Sequence, residues 1–178
     1  MFFIEDNNFL NEENKKFINE VILGPYFAYF RQGFSTYDKG NKDCIFTHIL
    51  LSRPEHRTEP NQINSDYYDE VLKLIIPFLQ KHKIKYTEFL RVCVNLTFNN
   101  GVEKCPVHFD HSCDHKQIII YLNDDIDKNS KTIILDKNEN IIKEIIPEQY
   151  KAVCFDKLPH YHYYPKIGER ITLIATFR

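Results

Sequence analysis

The chain changes its hydrophobic rhythm about halfway along. In residues 11–23, Phe17, Ile18, Val21 and Ile22 fall on one side at helical spacing, which predicts a first helix stopped by Gly24-Pro25. Residues 26–64 are aromatic, then polar and turn-rich, with Gly33, Gly40, Pro54 and Pro60 as punctuation. Tyr26, Phe27, Tyr29 and Phe30 are expected to pack on the core. A second helix is predicted after Asn64-Ser65, which supply its cap. Val71, Leu72, Ile75, Phe78 and Leu79 form its apolar stripe, which ends near His82, and Pro77 marks a kink or an early end.

From residue 88 the period is two. Residues 89–98 alternate and are rich in β-formers, and Asn99-Asn100-Gly101 reads as a turn. Apolar runs then recur at 117–122, 132–135, 141–146, 150–155 and 170–177, separated by turn clusters such as Asn123-Asp124-Asp125. Many short strands at near-regular spacing predict a β-sandwich or barrel, with the two leading helices covering an outer face. With 178 residues and no internal linker, residues 1–178 are expected to form one domain. Residues 1–87 would be its helical and aromatic support, and residues 88–178 its strand-rich core.

Composition narrows the class without choosing a chemistry. Hydrophobic residues make up 43% and charged residues 27%, which excludes a disordered chain. The formal charge of -2 argues against a dedicated nucleic-acid coat or a polybasic anchor, and it disfavours duplex nucleic acid as a partner. Five cysteines, an odd number without a Cys-x-x-Cys pair, predict reduced thiols and a reducing cytoplasm. Phe2-Phe3-Ile4 runs straight into Glu5-Asp6, so no secretory leader and no membrane association are expected.

The candidate chemistry starts at Cys105-Pro106-Val107-His108-Phe109-Asp110. On an extended strand His108 and Asp110 point to one side, and an imidazole beside a carboxylate makes two-thirds of a facial Fe(II) site. A second imidazole must come from elsewhere, and His160 and His162 stand about fifty residues on. Arg170, opening the last strand, can hold a carboxylate through a two-pronged hydrogen bond.

These motifs together resemble the prolyl-hydroxylase-like superfamily of Fe(II)/2-oxoglutarate-dependent oxygenases, and most closely its small phage and marine-bacterial members. The resemblance covers nearly the whole chain. It runs through Arg91-Val92-Cys93-Val94-Asn95-Leu96, Val107-His108-Phe109-Asp110, Ile118-Ile119-Ile120-Tyr121-Leu122-Asn123, Phe155-Asp156-Lys157-Leu158-Pro159-His160 and Gly168-Glu169-Arg170-Ile171-Thr172-Leu173. It implies a mostly β, double-stranded β-helix (jelly-roll) fold with two packing helices. It implies Fe(II) and 2-oxoglutarate as cofactors, dioxygen as oxidant and ascorbate as a candidate reductant. The activity implied is hydroxylation, of a peptidyl proline or other protein side chain by preference and of a small molecule otherwise, with release of succinate and CO2.

By the same resemblance His108, Asp110 and His160 hold the metal, with His162 as the alternative distal ligand. Arg170 binds the far carboxylate of 2-oxoglutarate with Tyr121, while Asn95 and Thr172 are further co-substrate contacts. Arg91, His111 and His162 are candidates for the substrate mouth. The sequence departs from the family pattern at 125–132, which has no glycine, so the hairpin there is expected to be longer or to be built on Asn129. Two other readings compete. One is a non-catalytic jelly-roll binding module. The other is a structural zinc site built from Cys105, His108, His111, Cys113 and His115.

Overall fold

The computed structural model describes residues 2–33, 44–53 and 62–178; Gly40, Pro54 and Pro60 lie outside the described residues. Among the described residues there are ten strands and two α-helices. The strands are β1 (Phe3–Asp6), β2 (Phe30–Gln32), β3 (Ile45–Leu51), β4 (Phe89–Phe98), β5 (Lys116–Tyr121), β6 (Thr132–Leu135), β7 (Ile141–Ile145), β8 (Ala152–Asp156), β9 (His160–His162) and β10 (Glu169–Phe177). The helices are α1 (Glu12–Phe17), continued by a π-helical turn over Ile18–Ile22, and α2 (Tyr68–Lys81).

All pairings between these strands are antiparallel. A major sheet of seven strands runs β1-β8-β5-β10-β4-β3-β2, and a minor sheet of three runs β7-β6-β9. The result is the expected jelly roll. The central strands are buried on both faces, so their sequences read as apolar runs rather than clean alternations.

Register still sorts those faces. Val92, Val94, Ile118, Ile120, Leu173 and Ala175 point outward onto the helices, where they pack against Ile18, Ile22, Leu74, Ile75 and Phe78. The opposite parity, including Arg91, Asn95, Tyr121, Arg170 and Thr172, faces the minor sheet. The helical layer therefore holds the sheet rigid from behind while the inner face is left for polar groups.

Local chemistry explains the helix boundaries. Asn11 and Asn14 form a reciprocal capping box at the start of α1. A Cβ on Gly24 would stand 2.4 Å from the Glu20 carbonyl oxygen, so only glycine lets the chain leave the helix there. In α2 the first helical residue is Tyr68, later than Asn64-Ser65 suggests. Ser65 still contributes, because its hydroxyl accepts from Tyr67 N and its carbonyl from Tyr68 N. The helix does not end at Pro77. Phe78 is fully buried and meets Phe9 edge to face at 5.2 Å. Phe78→Ala is expected to cost about 3–5 kcal/mol, read from the urea midpoint; a loss under about 1 kcal/mol would contradict this packing.

Three features differ from the sequence reading. Tyr26 and Phe30 are 92% and 67% exposed, and only Phe27 and Tyr29 of that aromatic group pack inward. The first 87 residues are more than support, since β1, β2 and β3 are strands of the major sheet. They are short, or lie among turn residues, and period alone does not reveal them. The turn after β5 is built on Asp127 rather than Asn129. The Asp127 carboxylate accepts from Asn129 N and Lys166 N, and its carbonyl accepts from Ser130 N, so no glycine is needed.

Candidate functional site

The site lies between the two sheets. Residues 104–108 run antiparallel to β9 and extend the minor sheet: His108 N donates to His160 O at 3.0 Å and His160 N to His108 O at 3.1 Å. This exchange sets the two imidazoles side by side, with ring centroids 4.5 Å apart. Asp110 follows two residues later on the same side, and its Oδ2 is 3.5 Å from His160 Nε2. The structure thus brings together His108, Asp110 and His160.

Each of these groups is oriented from behind. A carbonyl only accepts, so His108 Nδ1–H donates to Pro106 O and His160 Nδ1–H to Leu158 O, both at 2.9 Å. Both Nε2 atoms therefore keep their lone pairs. Asp110 Oδ1 accepts from Arg91 at 3.1 Å and Arg53 at 3.0 Å, and Arg53 also donates to the Asp110 carbonyl. Oδ2 is the oxygen turned toward the imidazoles. Hydrogen-bonded imidazoles and a hydrogen-bonded carboxylate are what a cation site needs behind its ligands. Gln117 lies above the His160 ring, with its amide nitrogen 3.4 Å from the ring nitrogens.

Charge follows the geometry. Burial opposes ionisation of Asp110, but His160, Arg53, Arg91 and His108 outweigh it and hold its carboxyl well below the usual carboxylate range. Burial and the neighbouring His108 bring His160 down to about 4, against the pull of Asp110. A pH dependence follows for the metal-free protein. The unfolded chain takes up the His160 proton near 6.5 and the folded chain near 4. This contribution to stability is complete above pH 6.5 and is lost as pH falls through that window. The loss should be on the order of 3 kcal/mol. Urea unfolding from pH 7 to pH 4 should show it, and His160→Gln should flatten the slope; an unchanged slope would contradict the assignment.

The far end of the cleft is built on Arg170, which is 3% exposed. Its guanidinium donates to Thr132 Oγ1 at 2.9 Å and lies over the Tyr121 ring at 5.3 Å. The Tyr121 hydroxyl meets the same Thr132 Oγ1 at 2.7 Å. Asn95, Thr172 and Tyr121 form one cross-strand row over β4, β10 and β5. Asn95 Oδ1, Thr172 Oγ1, Arg170 Nε and His162 Nε2 are buried without a hydrogen-bond partner. Such groups are costly in an apolar interior; the Thr172 hydroxyl and Arg170 Nε–H suit an accepting, carboxylate-bearing ligand, whereas Asn95 Oδ1 calls for a donor.

His162 faces the same side as His160, but across β6 it pairs with Thr132, toward Arg170. Its Nδ1 is 3.2 Å from Cys105 Sγ. His160 adjoins Asp110 and His108, whereas His162 pairs across β6 with Thr132, to which Arg170 donates.

Two expected mouth residues take other places. Arg91 lines the cleft but is buried, with its guanidinium paired to Asp110. His111 is 3% exposed and bonded to Thr176 Oγ1 at 2.7 Å. The 105–115 residues do not gather on one centre: Cys105 faces His162 and His108 meets His160, while His111 and His115 meet edge to face at 5.0 Å and bond Thr176 and the Cys113 carbonyl. Among the described residues no group of three or more His, Cys, Asp or Glu side chains is already arranged to hold a metal ion. All five cysteines are unbridged. Among the described residues no helix is long and apolar enough to cross a membrane.

Arg53, Thr132 and Gln117 are absent from the sequence reading. Gln117 had a usable signal, because it shares strand parity with Tyr121. Arg53 and Thr132 had none, since their partners lie 57 and 38 residues away.

No family model and no curated protein matches the chain in sequence. Solved structures do match in fold. An oxidoreductase of the 2OG-Fe(II) oxygenase family from Burkholderia pseudomallei aligns at TM-score 0.77 and 11% identity, over 98% of this chain and 84% of that one. A prolyl hydroxylase from Trichoplax adhaerens, in complex with a hypoxia inducible factor peptide fragment, aligns at 0.68 and 12% identity, over 98% and 82%. The viral collagen prolyl hydroxylase of Paramecium Bursaria Chlorella virus-1 aligns at 0.56 and 16%, over 100% and 96%. The fold is that of 2-oxoglutarate/Fe(II) oxygenases and prolyl hydroxylases.

Proposed function

We propose that this protein is an Fe(II)- and 2-oxoglutarate-dependent dioxygenase that hydroxylates a peptidyl proline or another protein side chain. One observation carries the reading. His108, Asp110 and His160 converge at one end of a cleft whose other end is closed by buried Arg170. Two neutral imidazoles and one carboxylate oxygen on one side of a cation leave its other side open, which suits Fe(II) in oxygenases.

His108 Nε2, His160 Nε2 and Asp110 Oδ2 would hold the iron. Arg53 and Arg91 keep Asp110 ionised and fix which oxygen is presented. Arg170 takes the far carboxylate of 2-oxoglutarate, supported by Thr132 and by the Tyr121 hydroxyl behind it. Thr172 would offer its unpartnered hydroxyl as a donor along the middle of the cleft, and Asn95 beside it would have to donate through its amide nitrogen, since its unpartnered Oδ1 only accepts. Holding the co-substrate at both ends fixes its keto-acid end toward the open side of the metal. When bound, Fe(II), 2-oxoglutarate and dioxygen supply the oxidising power: one oxygen atom enters the substrate C–H bond and the other enters succinate, with loss of CO2.

The protein-side-chain preference rests on likeness to prolyl hydroxylases, one of them bound to a peptide. The cluster of buried unpartnered polar atoms speaks against a binding module that kept only the shell of the fold. The test is aerobic turnover with Fe(II) and 2-oxoglutarate against peptide, nucleic-acid and metabolite panels. The expected result is succinate release that requires both cofactors and a peptide product heavier by one oxygen. Release independent of iron would overturn the enzyme class, and oxidation of a nucleic acid or metabolite alone would overturn the substrate class.

A further inference from the structure

We propose that His162 is a co-substrate-binding residue that donates from Nε2–H to the far carboxylate of 2-oxoglutarate beside Arg170, with Cys105 as the residue that sets its tautomer. The inference rests on the oxygenase reading and adds to it a contact made by His162 of this chain.

Three observations converge. His162 Nε2 is buried and has no partner, while Nδ1 is 3.2 Å from Cys105 Sγ. Sγ accepts from His162 N at 3.2 Å, and a thiol can in addition donate its proton to Nδ1, which is the arrangement inferred here. An Nδ1 that accepts leaves the ring proton on Nε2. Arg170 Nε lines the same cleft, is also without a partner, and does not pair with His162 Nε2. An Nε2 lone pair could accept from the guanidinium, whereas two donors cannot satisfy each other. Both are satisfied by a group that only accepts, and a carboxylate is such a group. The placement agrees, because Thr132, which Arg170 bonds, is the cross-strand partner of His162.

The test uses zinc-loaded protein, which binds without turning over. Calorimetric titration with 2-oxoglutarate should show His162→Leu weakened by about ten- to a hundredfold, as for loss of a hydrogen bond to a charged group. His162→Gln, which keeps a donor, should recover most of the affinity, and zinc binding without 2-oxoglutarate should not change in either. In wild-type protein with 15N-labelled histidine, the ring spectrum should place the His162 proton on Nε2, and that signal should shift when 2-oxoglutarate is added. Cys105→Val should mix the tautomers and Cys105→Ser should restore them.

Unchanged affinity in His162→Leu overturns the proposal and leaves the oxygenase reading intact. Loss of zinc in that variant makes His162 a metal ligand and also overturns it. Where the variant does not fold, the wild-type spectrum decides: a proton on Nδ1, or no shift with 2-oxoglutarate, overturns it. Wild-type protein that binds no 2-oxoglutarate removes the oxygenase reading itself.

Discussion

Asp110→Asn should abolish turnover and weaken iron binding by at least about a hundredfold, comparable with or beyond the loss caused by disturbing the groups behind a ligand. The reason is positional as well as electrostatic. Arg91 and Arg53 both donate to the oxygen at the Oδ1 position, so an asparagine would keep its carbonyl there. Its NH2 would then take the Oδ2 position and point a donor where the reading requires an anionic acceptor. Asparagine is the better substitution for a second reason. Alanine would remove the carboxylate partner of the buried Arg91 guanidinium, at about 3 kcal/mol, the low end for a broken buried pair. The low end applies because Arg53 keeps its hydrogen bond to the carbonyl of residue 110. Asp110→Ala should therefore lower the urea midpoint as well as activity, while Asp110→Asn should separate the two effects. Undiminished succinate release from Asp110→Asn would contradict the assigned triad.

Arg170→Ala should raise the 2-oxoglutarate concentration needed for half-maximal turnover by roughly thirty- to a thousandfold, from the loss of about 2–4 kcal/mol of charge-assisted hydrogen bonding. Iron binding in the absence of 2-oxoglutarate should change little, because Arg170 lies at the opposite end of the cleft from Asp110. Arg170→Lys should recover part of the loss, since it keeps the charge but not the planar fork over Tyr121. Comparable loss of iron without 2-oxoglutarate would make Arg170 a structural residue instead.

The parts of this site that could be read from sequence are those set by short spacing. His108 and Asp110 are two residues apart, and strand parity alone puts them on one side. The helix over 11–23, α2 and the strands β4, β5, β6, β7, β8 and β10 follow from period or from apolar runs, whereas β9, only His160–His162, shows neither. His160 and His162 share parity, so spacing could not separate them. What separates them is register across the minor sheet, where His160 meets His108 and His162 meets Thr132.

Other features depend on contacts made only in the folded chain. Arg91 was legible as a site residue but not in its role, because its partner lies on a segment outside the major sheet. Arg53 stabilises Asp110 from a turn-rich stretch with no period to read. His111 stands in a polar run that suggests the substrate mouth, yet the chain turns it inward onto Thr176. β1 has too few residues for a pattern, and its place at the sheet edge depends on pairing with β8. Tyr26 illustrates the reverse case, since an aromatic beside a turn carries no information about which way it faces.

The most direct test of the whole account is a crystal structure of the protein grown with Mn(II) and 2-oxoglutarate and recorded at a wavelength where manganese scatters anomalously. The account predicts one strong peak bounded by His108 Nε2, Asp110 Oδ2 and His160 Nε2, with the co-substrate's far carboxylate on Arg170 and within reach of His162 Nε2. A peak held by His162 in place of His160, or by Cys105, Cys113 and His115, would contradict it.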